Sequence, residues 1–158
     1  MRLTLHTDYA LRALMYVAMK GEALATIDEI AAIFAISKGH LMKVVNRLAR
    51  MGYLETVRGK RGGIRLGRRS AEINVAAVVR DMEEELGVLG CLQGRGYCRI
   101  EGCCVLRTAL REATDAFLAV LGRLTLEDLL KPRHPLRHLL RIEGRTVSKP
   151  PWRALARG

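Results

Sequence analysis

The sequence predicts a mainly α-helical protein: a winged helix-turn-helix DNA-binding domain with a two-strand wing, followed by a long dimerisation helix. Three observations point there. Two short amphipathic segments joined by a tight turn lie within residues 26–50, the plan of a helix-turn-helix. Two short apolar pieces around a glycine-rich basic turn follow directly, the pattern of a β-hairpin. Further on, Leu106, Leu110, Ala113, Phe117, Val120 and Leu124 alternate at intervals of 4, 3, 4, 3 and 4, the seam of helices that pack side by side.

Each element has its local signal. Leu11, Leu14, Met15 and Ala18 recur at helical spacing, so residues 8–19 are expected as an amphipathic helix with Thr7 or Asp8 at its start and Gly21 as its stop. Thr26 and Glu29 form the capping-box pattern ahead of Ile30, Ala31, Ile33 and Phe34. After the turn Ala35-Ile36-Ser37, Ser37 caps a third helix whose stripe Leu41, Val44, Val45 and Leu48 faces inward and whose C-terminal glycine is Gly52. Tyr53–Val57 and Ile64–Leu66 flank the turn and form the wing. Asn74 caps a helix with Val75, Val78, Val79, Met82 and Leu86 on one face, ended by Gly87. A glycine-bearing loop spans 87–103, the long seam helix comes next, and Thr125–Asp128 opens a last short helix ended by Pro132. Residues 131–158, with all four prolines and eight basic residues, are expected as a flexible basic tail. The divisions are therefore 1–70 for the DNA-binding region, 71–130 for the cysteine loop and dimerisation helices, and 131–158 for the tail.

Composition narrows the function classes. The 158 residues suit one compact domain with a tail, and 49% apolar with 27% charged residues argues for a globular chain. No apolar run approaches the ~20 residues of a membrane helix, and the opening lacks a secretory h-region, so a cytoplasmic protein without membrane partners is expected. The net charge of +11 is unevenly spread: residues 1–70 hold 13 Lys/Arg against 5 Asp/Glu, 71–130 hold 6 against 10, and 131–158 hold 8 against 1. The N-terminal block and the tail face a polyanion, and double-stranded DNA is the expected partner.

On the third helix, the face opposite the apolar stripe carries Lys38, His40, Lys43, Asn46, Arg47 and Arg50. Lys and Arg suit phosphates and guanine edges, and Asn can read adenine. Ser37, Lys38, His40 and Lys43 lie nearest the helix start and are the better base or phosphate candidates, with Arg47 beyond them and Arg50 left to backbone or solvent. Arg58, Lys60 and Arg61 at the wing tip suit phosphates or a minor groove.

Four cysteines, Cys91, Cys98, Cys103 and Cys104, fall in one 14-residue window. Disulfides are disfavoured in a reducing compartment, and clustered thiols point to a metal or redox site. Thiolates hold zinc or iron–sulfur clusters; no cysteine pair has the two-residue spacing common in structural zinc knuckles, and the intervals of six residues from Cys91 to Cys98 and five from Cys98 to Cys104 suit a bulkier cofactor. Cys103 and Cys104 are adjacent and point differently, so one of the two is expected to bind. Three thiolates leave one iron position for an oxygen or nitrogen ligand, which a small molecule can displace. The histidines, His6, His40, His134 and His138, lie in separate segments and propose no catalytic constellation, so no enzyme is expected.

The opening Met1-Arg2-Leu3-Thr4 with Thr7-Asp8-Tyr9-Ala10-Leu11-Arg12, the hairpin Arg58-Gly59-Lys60-Arg61-Gly62-Gly63-Ile64, and Cys91, Cys98 and Cys104-Val105-Leu106-Arg107 together resemble the iron–sulfur winged-helix regulators of the NsrR/IscR type, most closely their nitric-oxide-sensing branch. The match runs over about residues 1–130. It implies a homodimeric repressor whose iron–sulfur cluster, [2Fe-2S] or [4Fe-4S], is held by Cys91, Cys98 and Cys104, with Asp8 of the partner subunit as a fourth ligand and nitric oxide as effector. The plainer role of Asp8 is a first-turn anion favoured by the helix dipole. Two departures stand out: the first cysteine interval is six residues where such proteins often have five, and Cys103 is an extra thiol. The alternatives are the same architecture sensing iron or cluster status, a cluster-free thiol-redox protein using Cys103 and Cys104, and a constitutive architectural DNA binder using the tail.

Overall fold

The computed structural model of the chain describes residues 3–83 and 98–142, with Leu86 and Leu92. Helix α1 (Leu5–Lys20) runs through the middle of the core, burying Ala10, Ala13, Leu14 and Val17, with Leu11, Met15 and Ala18 on its flanks. It begins three residues earlier than the sequence suggests. Thr4 is its N-cap, accepting from the Thr7 N–H at 3.4 Å, because the Thr7 hydroxyl is committed elsewhere: it is fully buried and donates to Glu83. Gly21, at φ +64°, ends the helix as expected.

Helices α2 (Ile27–Phe34) and α3 (Lys38–Arg50) form the helix-turn-helix. Both halves of the Thr26–Glu29 capping box are made, the Thr26 N–H donating to Glu29 at 2.8 Å and the Glu29 N–H to Thr26 Oγ1 at 3.2 Å. Ala35 takes a left-handed conformation at φ +52° to make the tight turn, and Ser37 caps α3. Leu41, Val44, Val45 and Leu48 are all at most 1% exposed. Each contributes roughly 1.5–3 kcal/mol relative to an exposed side chain, so this stripe fixes which face of α3 is left for solvent.

Strands β1 (Leu54–Val57) and β2 (Gly63–Leu66) pair antiparallel, Leu54 opposite Leu66 and Val57 opposite Gly63. Ala25, between α1 and α2, exchanges two backbone bonds with Ile64 (2.9 and 2.7 Å), so the wing is pinned to the helical core along its second strand. A 3-10 turn (Ser70–Glu72) leads to α4 (Val75–Met82), capped by Asn74. Helix α4 is shorter than the apolar pattern through Leu86 suggests. Glu83 leaves the helix in an extended conformation (ψ 130°) and turns its carboxylate back onto the start of α1.

Helix α5 (Val105–Gly122) follows a 3-10 turn at Glu101–Cys103. Its end is tied to the start of α4: Asn74 Nδ2 donates to the Gly122 carbonyl at 2.8 Å and the Val75 N–H to Leu124 at 3.0 Å. At 1.5 Å per residue α5 is about 27 Å long against about 12 Å for α4. Its C-terminal half packs, burying Thr114 and Leu118, and the half that begins at the cysteines buries no residue, Val105 and Leu106 being 81% and 59% exposed. Of the expected seam, Leu106, Ala113 and Val120 are exposed, Leu110 and Phe117 half-buried, and Leu124 lies past the helix end.

Helix α6 (Leu126–Leu129) starts at a second capping box, Thr125 with Asp128. The reading of everything past Pro132 as tail is corrected for its first part. Helix α7 (Arg133–Leu139) accommodates Pro135 in its first turn, where a proline costs no helical hydrogen bond, and Leu136, Leu140 and Ile142 rest on the core. Residues 143–158 lie outside the described ones. Among the described residues no helix is long and apolar enough to cross a membrane.

Candidate nucleic-acid interface and cysteine site

With its apolar stripe buried, α3 turns Ser37, Lys38, Gly39, His40, Met42, Lys43, Asn46 and Arg50 to solvent. The Ser37 Oγ accepts the His40 N–H at 3.4 Å, which holds the first turn in place. Lys38 Nζ meets Asp28 at 2.8 Å, both side chains being about two-thirds exposed or more. Such a surface pair is worth only about 0–1 kcal/mol and yields readily to a phosphate. Gly39 has open space where a Cβ would stand, so nothing within the fold requires a glycine there. Two features of this face have no signal in the helical periodicity: Gly39, and Met42, an apolar side chain 51% exposed among cations and capable of apolar contact with a thymine methyl.

Arg47 stands apart from the other α3 candidates. It is only half-exposed, and its Nη2 donates to the Asp81 carbonyl at 2.7 Å, tying α3 to the end of α4.

The wing tip carries Arg58, Lys60 and Arg61, all exposed. Glu55 and Arg65 pair across the strands at 2.7 Å. The turn depends on its glycines: Gly59 sits at φ +121°, and a Cβ on Gly62 would collide with the Val57 carbonyl. Gly63 lies so near Ala25 and Leu24 that a side chain would separate the wing from the core.

Behind these elements is a polar junction. The Tyr53 hydroxyl donates to Asp81 Oδ2 at 2.5 Å, and the ring, 3% exposed, lies under the Arg68 guanidinium at 4.8 Å. Arg68 in turn donates to the Met51 and Gly52 carbonyls at the end of α3 (2.6 and 3.2 Å). Burial pushes the Tyr53 hydroxyl up to about 12, helped by the Asp81 carboxylate and opposed by Arg68.

Of the cysteines, Cys98 and Cys104 are half-buried and Cys103 is exposed, and all three are free thiols. Cys103 Sγ is 3.6 Å from the Ile100 carbonyl. Cys104 occupies the N-cap position of α5 without making a cap bond, where free N–H groups and the helix dipole favour negative charge. Cys91 lies outside the described residues, and among the described residues no three metal-binding side chains converge. Free, accessible thiols beside an overhanging helix are the donor chemistry an iron–sulfur cluster takes. Asp8, half-exposed in the first turn of α1, is held by Arg12 Nε at 2.8 Å, and Arg12 also lies 5.7 Å from the Phe34 ring centre. Next to Asp8, the Thr7 hydroxyl and Thr4 bond to Glu83, so the chain entering the cysteine segment is anchored on the same turn of α1.

Known proteins share this architecture. A family model described as "Rrf2: Iron-dependent Transcriptional regulator" matches residues 3–132. The HTH-type transcriptional regulator NsrR of Geobacillus kaustophilus (strain HTA426) is 49% identical over 143 residues, covering 89% of this chain and 97% of that protein. The regulator of the same name from Bacillus subtilis (strain 168) is 44% identical over 146 residues, covering 90% and 99%. Among solved structures, T. potens IscR superposes with a TM-score of 0.69 at 20% identity over 92% of this chain and 94% of that one, a likeness of fold. The basic helix-turn-helix, its wing and the match over residues 3–132 carry one conclusion: the chain belongs to the Rrf2 family of transcriptional regulators, and it is not an enzyme.

Proposed function

We propose that the chain is a homodimeric transcriptional repressor that binds double-stranded DNA through α3 and the wing while an iron–sulfur cluster is in place, and that it releases DNA when nitric oxide reacts with that cluster. Ser37, Lys38, His40 and Lys43 of each subunit meet one major groove, and Arg58, Lys60 and Arg61 meet flanking phosphates. Two copies would present two α3 helices to half-sites about one helical turn apart (~34–36 Å). Cys91, Cys98 and Cys104 would hold the cluster, with Asp8 of the partner subunit as a candidate fourth ligand, its present pair with Arg12 being exposed. When bound, the cluster would supply iron sites open to a small-molecule ligand such as nitric oxide. The exposed apolar side chains Leu106 and Val120 of α5 support pairing with a second copy.

One observation carries the reading: the free thiols Cys103 and Cys104 lie at the start of the helix whose first half buries no residue, in a chain whose α3 side chains Lys38, His40, Lys43 and Arg50 are exposed. The test is anaerobic purification, with iron and sulfide assay and Mössbauer spectra. Fluorescence anisotropy then follows a duplex selected by the iron-loaded protein from a random pool. Nitric oxide is expected to weaken binding at least about tenfold, within the usual span of allosteric coupling. Iron-free protein binding that duplex just as tightly would overturn it. The family's iron-dependent description favours a second reading, in which loss of iron is the signal. An iron chelator releasing the duplex while nitric oxide does not would select it.

A further inference from the structure

Tyr53 touches the recognition helix, the wing and α4 at once. Its N–H donates to the Leu48 carbonyl at the end of α3 (2.9 Å), and its carbonyl accepts from Gly67 at the end of β2 (2.9 Å). Its side chain leaves both elements and reaches Asp81, in the last turn of α4 and 28 residues away. Arg47 approaches the same Asp81 from α3, through the main-chain carbonyl rather than the carboxylate. Arg68 completes the assembly by covering the Tyr53 ring and bonding the two carbonyls that end α3. The recognition helix and the wing are thereby held to one turn of α4, and two residues past Asp81 the chain leaves the helix at Glu83 in an extended conformation.

We propose that Tyr53 and Asp81, flanked by Arg47 and Arg68, are positioning residues for DNA binding: they carry the state of the cysteine segment from the end of α4 to the recognition helix and wing. Neither Tyr53 nor Asp81 needs to touch DNA. The geometry explains why α4 would serve as a lever. A small rotation of its last turn moves Asp81, and Tyr53 and Arg47 move the end of α3 and the base of the wing together. Because the bond joins a buried residue to the last turn of α4, a shift of that turn either carries the three elements together or breaks the bond. Arg47 takes part in this assembly through the Asp81 carbonyl. Asp81 also gives a sign that separates positioning from bulk charge: removing a carboxylate from a DNA-binding protein should, by electrostatics alone, tighten binding.

The inference rests on the cluster-dependent reading of the function, and the test keeps the two apart. Wild type, Tyr53→Phe, Asp81→Ala and the double variant are compared for iron and sulfide content, for thermal midpoint, and for affinity toward the selected duplex in iron-loaded and iron-free forms. In the iron-free proteins, amide exchange at residues 54–57 and 79–83 is followed as well. Tyr53→Phe, which lacks the donor, and Asp81→Ala, which lacks the acceptor, are expected to keep their iron and to lose about tenfold in affinity in the loaded form, with less than about twofold change in the iron-free form. The double variant should lose no more than either single one, because both remove the same bond. Exchange should rise in both segments together. Equal losses in the loaded and iron-free forms would mean a merely structural bond and overturn the proposal, as would tighter binding by Asp81→Ala or additive losses. A wild type that binds equally in both forms overturns the cluster-dependent reading and this proposal with it. A wild type that discriminates, beside a Tyr53→Phe that discriminates equally, overturns this proposal alone.

Discussion

The Thr7 hydroxyl donates to Glu83 Oε1 at 2.5 Å, joining residues 76 positions apart in the chain. The same oxygen accepts from the Thr4 N–H at 2.8 Å and the Thr4 hydroxyl at 3.0 Å. A carboxylate from the end of α4 thus helps to cap α1, in a place where Thr7 is fully buried and Glu83 only 9% exposed. Glu83→Ala strands the buried Thr7 hydroxyl and two part-buried Thr4 donors and should cost about 1.5–3 kcal/mol, the range for hydrogen bonds to charged groups. Thr7→Val keeps the shape, removes one donor and should cost about 1 kcal/mol. Urea unfolding checks both; losses below ~0.5 kcal/mol for both variants would show that this cap contributes nothing.

The wing predicts a separation between charge and shape. Lys60→Ala and Arg61→Ala each remove one exposed cation from a tip that needs neither for its own structure. Each should weaken DNA binding and lower the slope of log affinity against log salt by about 0.9 for every phosphate no longer neutralised. Gly62→Ala leaves the charge unchanged but drives a Cβ into the Val57 carbonyl, so the turn must deform. Its affinity should fall with far less change in salt slope. Anisotropy titrations at three salt concentrations distinguish the two patterns.

Gly39 offers a test of how closely DNA approaches α3. The position is helical, exposed and has open space where a Cβ would stand. Gly39→Ala should therefore raise stability by about 0.5–1 kcal/mol through lower unfolded-state entropy and better helix propensity. If the first turn lies against the duplex, the same methyl reduces DNA affinity. Higher thermal midpoint with weaker binding is the expected pair of results, and unchanged affinity would move the contact surface away from this turn.

The exposed face of α5 can be tested through oligomeric state. Leu106 is 59% exposed in the single chain, so Leu106→Asp should cost the monomer's fold little, within about 0.5 kcal/mol. At a dimer seam the same change buries a charge against apolar side chains, which is strongly unfavourable. Sedimentation should then report half the wild-type mass. A wild-type mass for the variant would place the contact between copies elsewhere.

What the sequence made legible was local. The Thr26–Glu29 box, the Ser37 and Asn74 caps, the Leu41–Leu48 stripe and the Gly21 stop each depend on residues within a turn or two of one another, and all stand where their local signals put them. The errors arise where a distant residue competes. Thr7 looks like an N-cap until Glu83 takes its hydroxyl, and α4 looks longer until the same Glu83 is drawn to α1. Helix α7 is hidden because two prolines and several basic residues in 132–141 resemble a tail, and only the folded core offers Leu136 and Leu140 a place to pack. In the candidate site, the exposed cations can be read directly from helical periodicity. The Arg47–Asp81 and Tyr53–Asp81 contacts cannot, since they span 34 and 28 residues and match no short motif.

The raised Tyr53 hydroxyl also makes the chain's stability depend on alkaline pH. Burial first, and the Asp81 hydrogen bond and charge second, raise it from an ordinary 10.0 to about 12 in the folded state. A group that holds its proton more tightly when folded stabilises the fold fully below its unfolded value. Above pH 10 the unfolded chain releases that proton first, so this contribution declines through the interval from 10 to about 12 and is lost beyond it. Tyr16 is raised as well, by burial and then by Glu29, so the wild-type curve alone does not isolate Tyr53. Subtracting the stability of Tyr53→Phe does: the wild-type advantage should be constant from neutrality to pH 10 and shrink as pH rises toward 12. Tyrosinate absorbance of the folded protein should show the matching loss of one late-titrating group in the variant. A wild-type advantage that grows above pH 10 would have the wrong sign for a buried, carboxylate-bound hydroxyl and would reject the hydrogen bond that joins α4 to the wing.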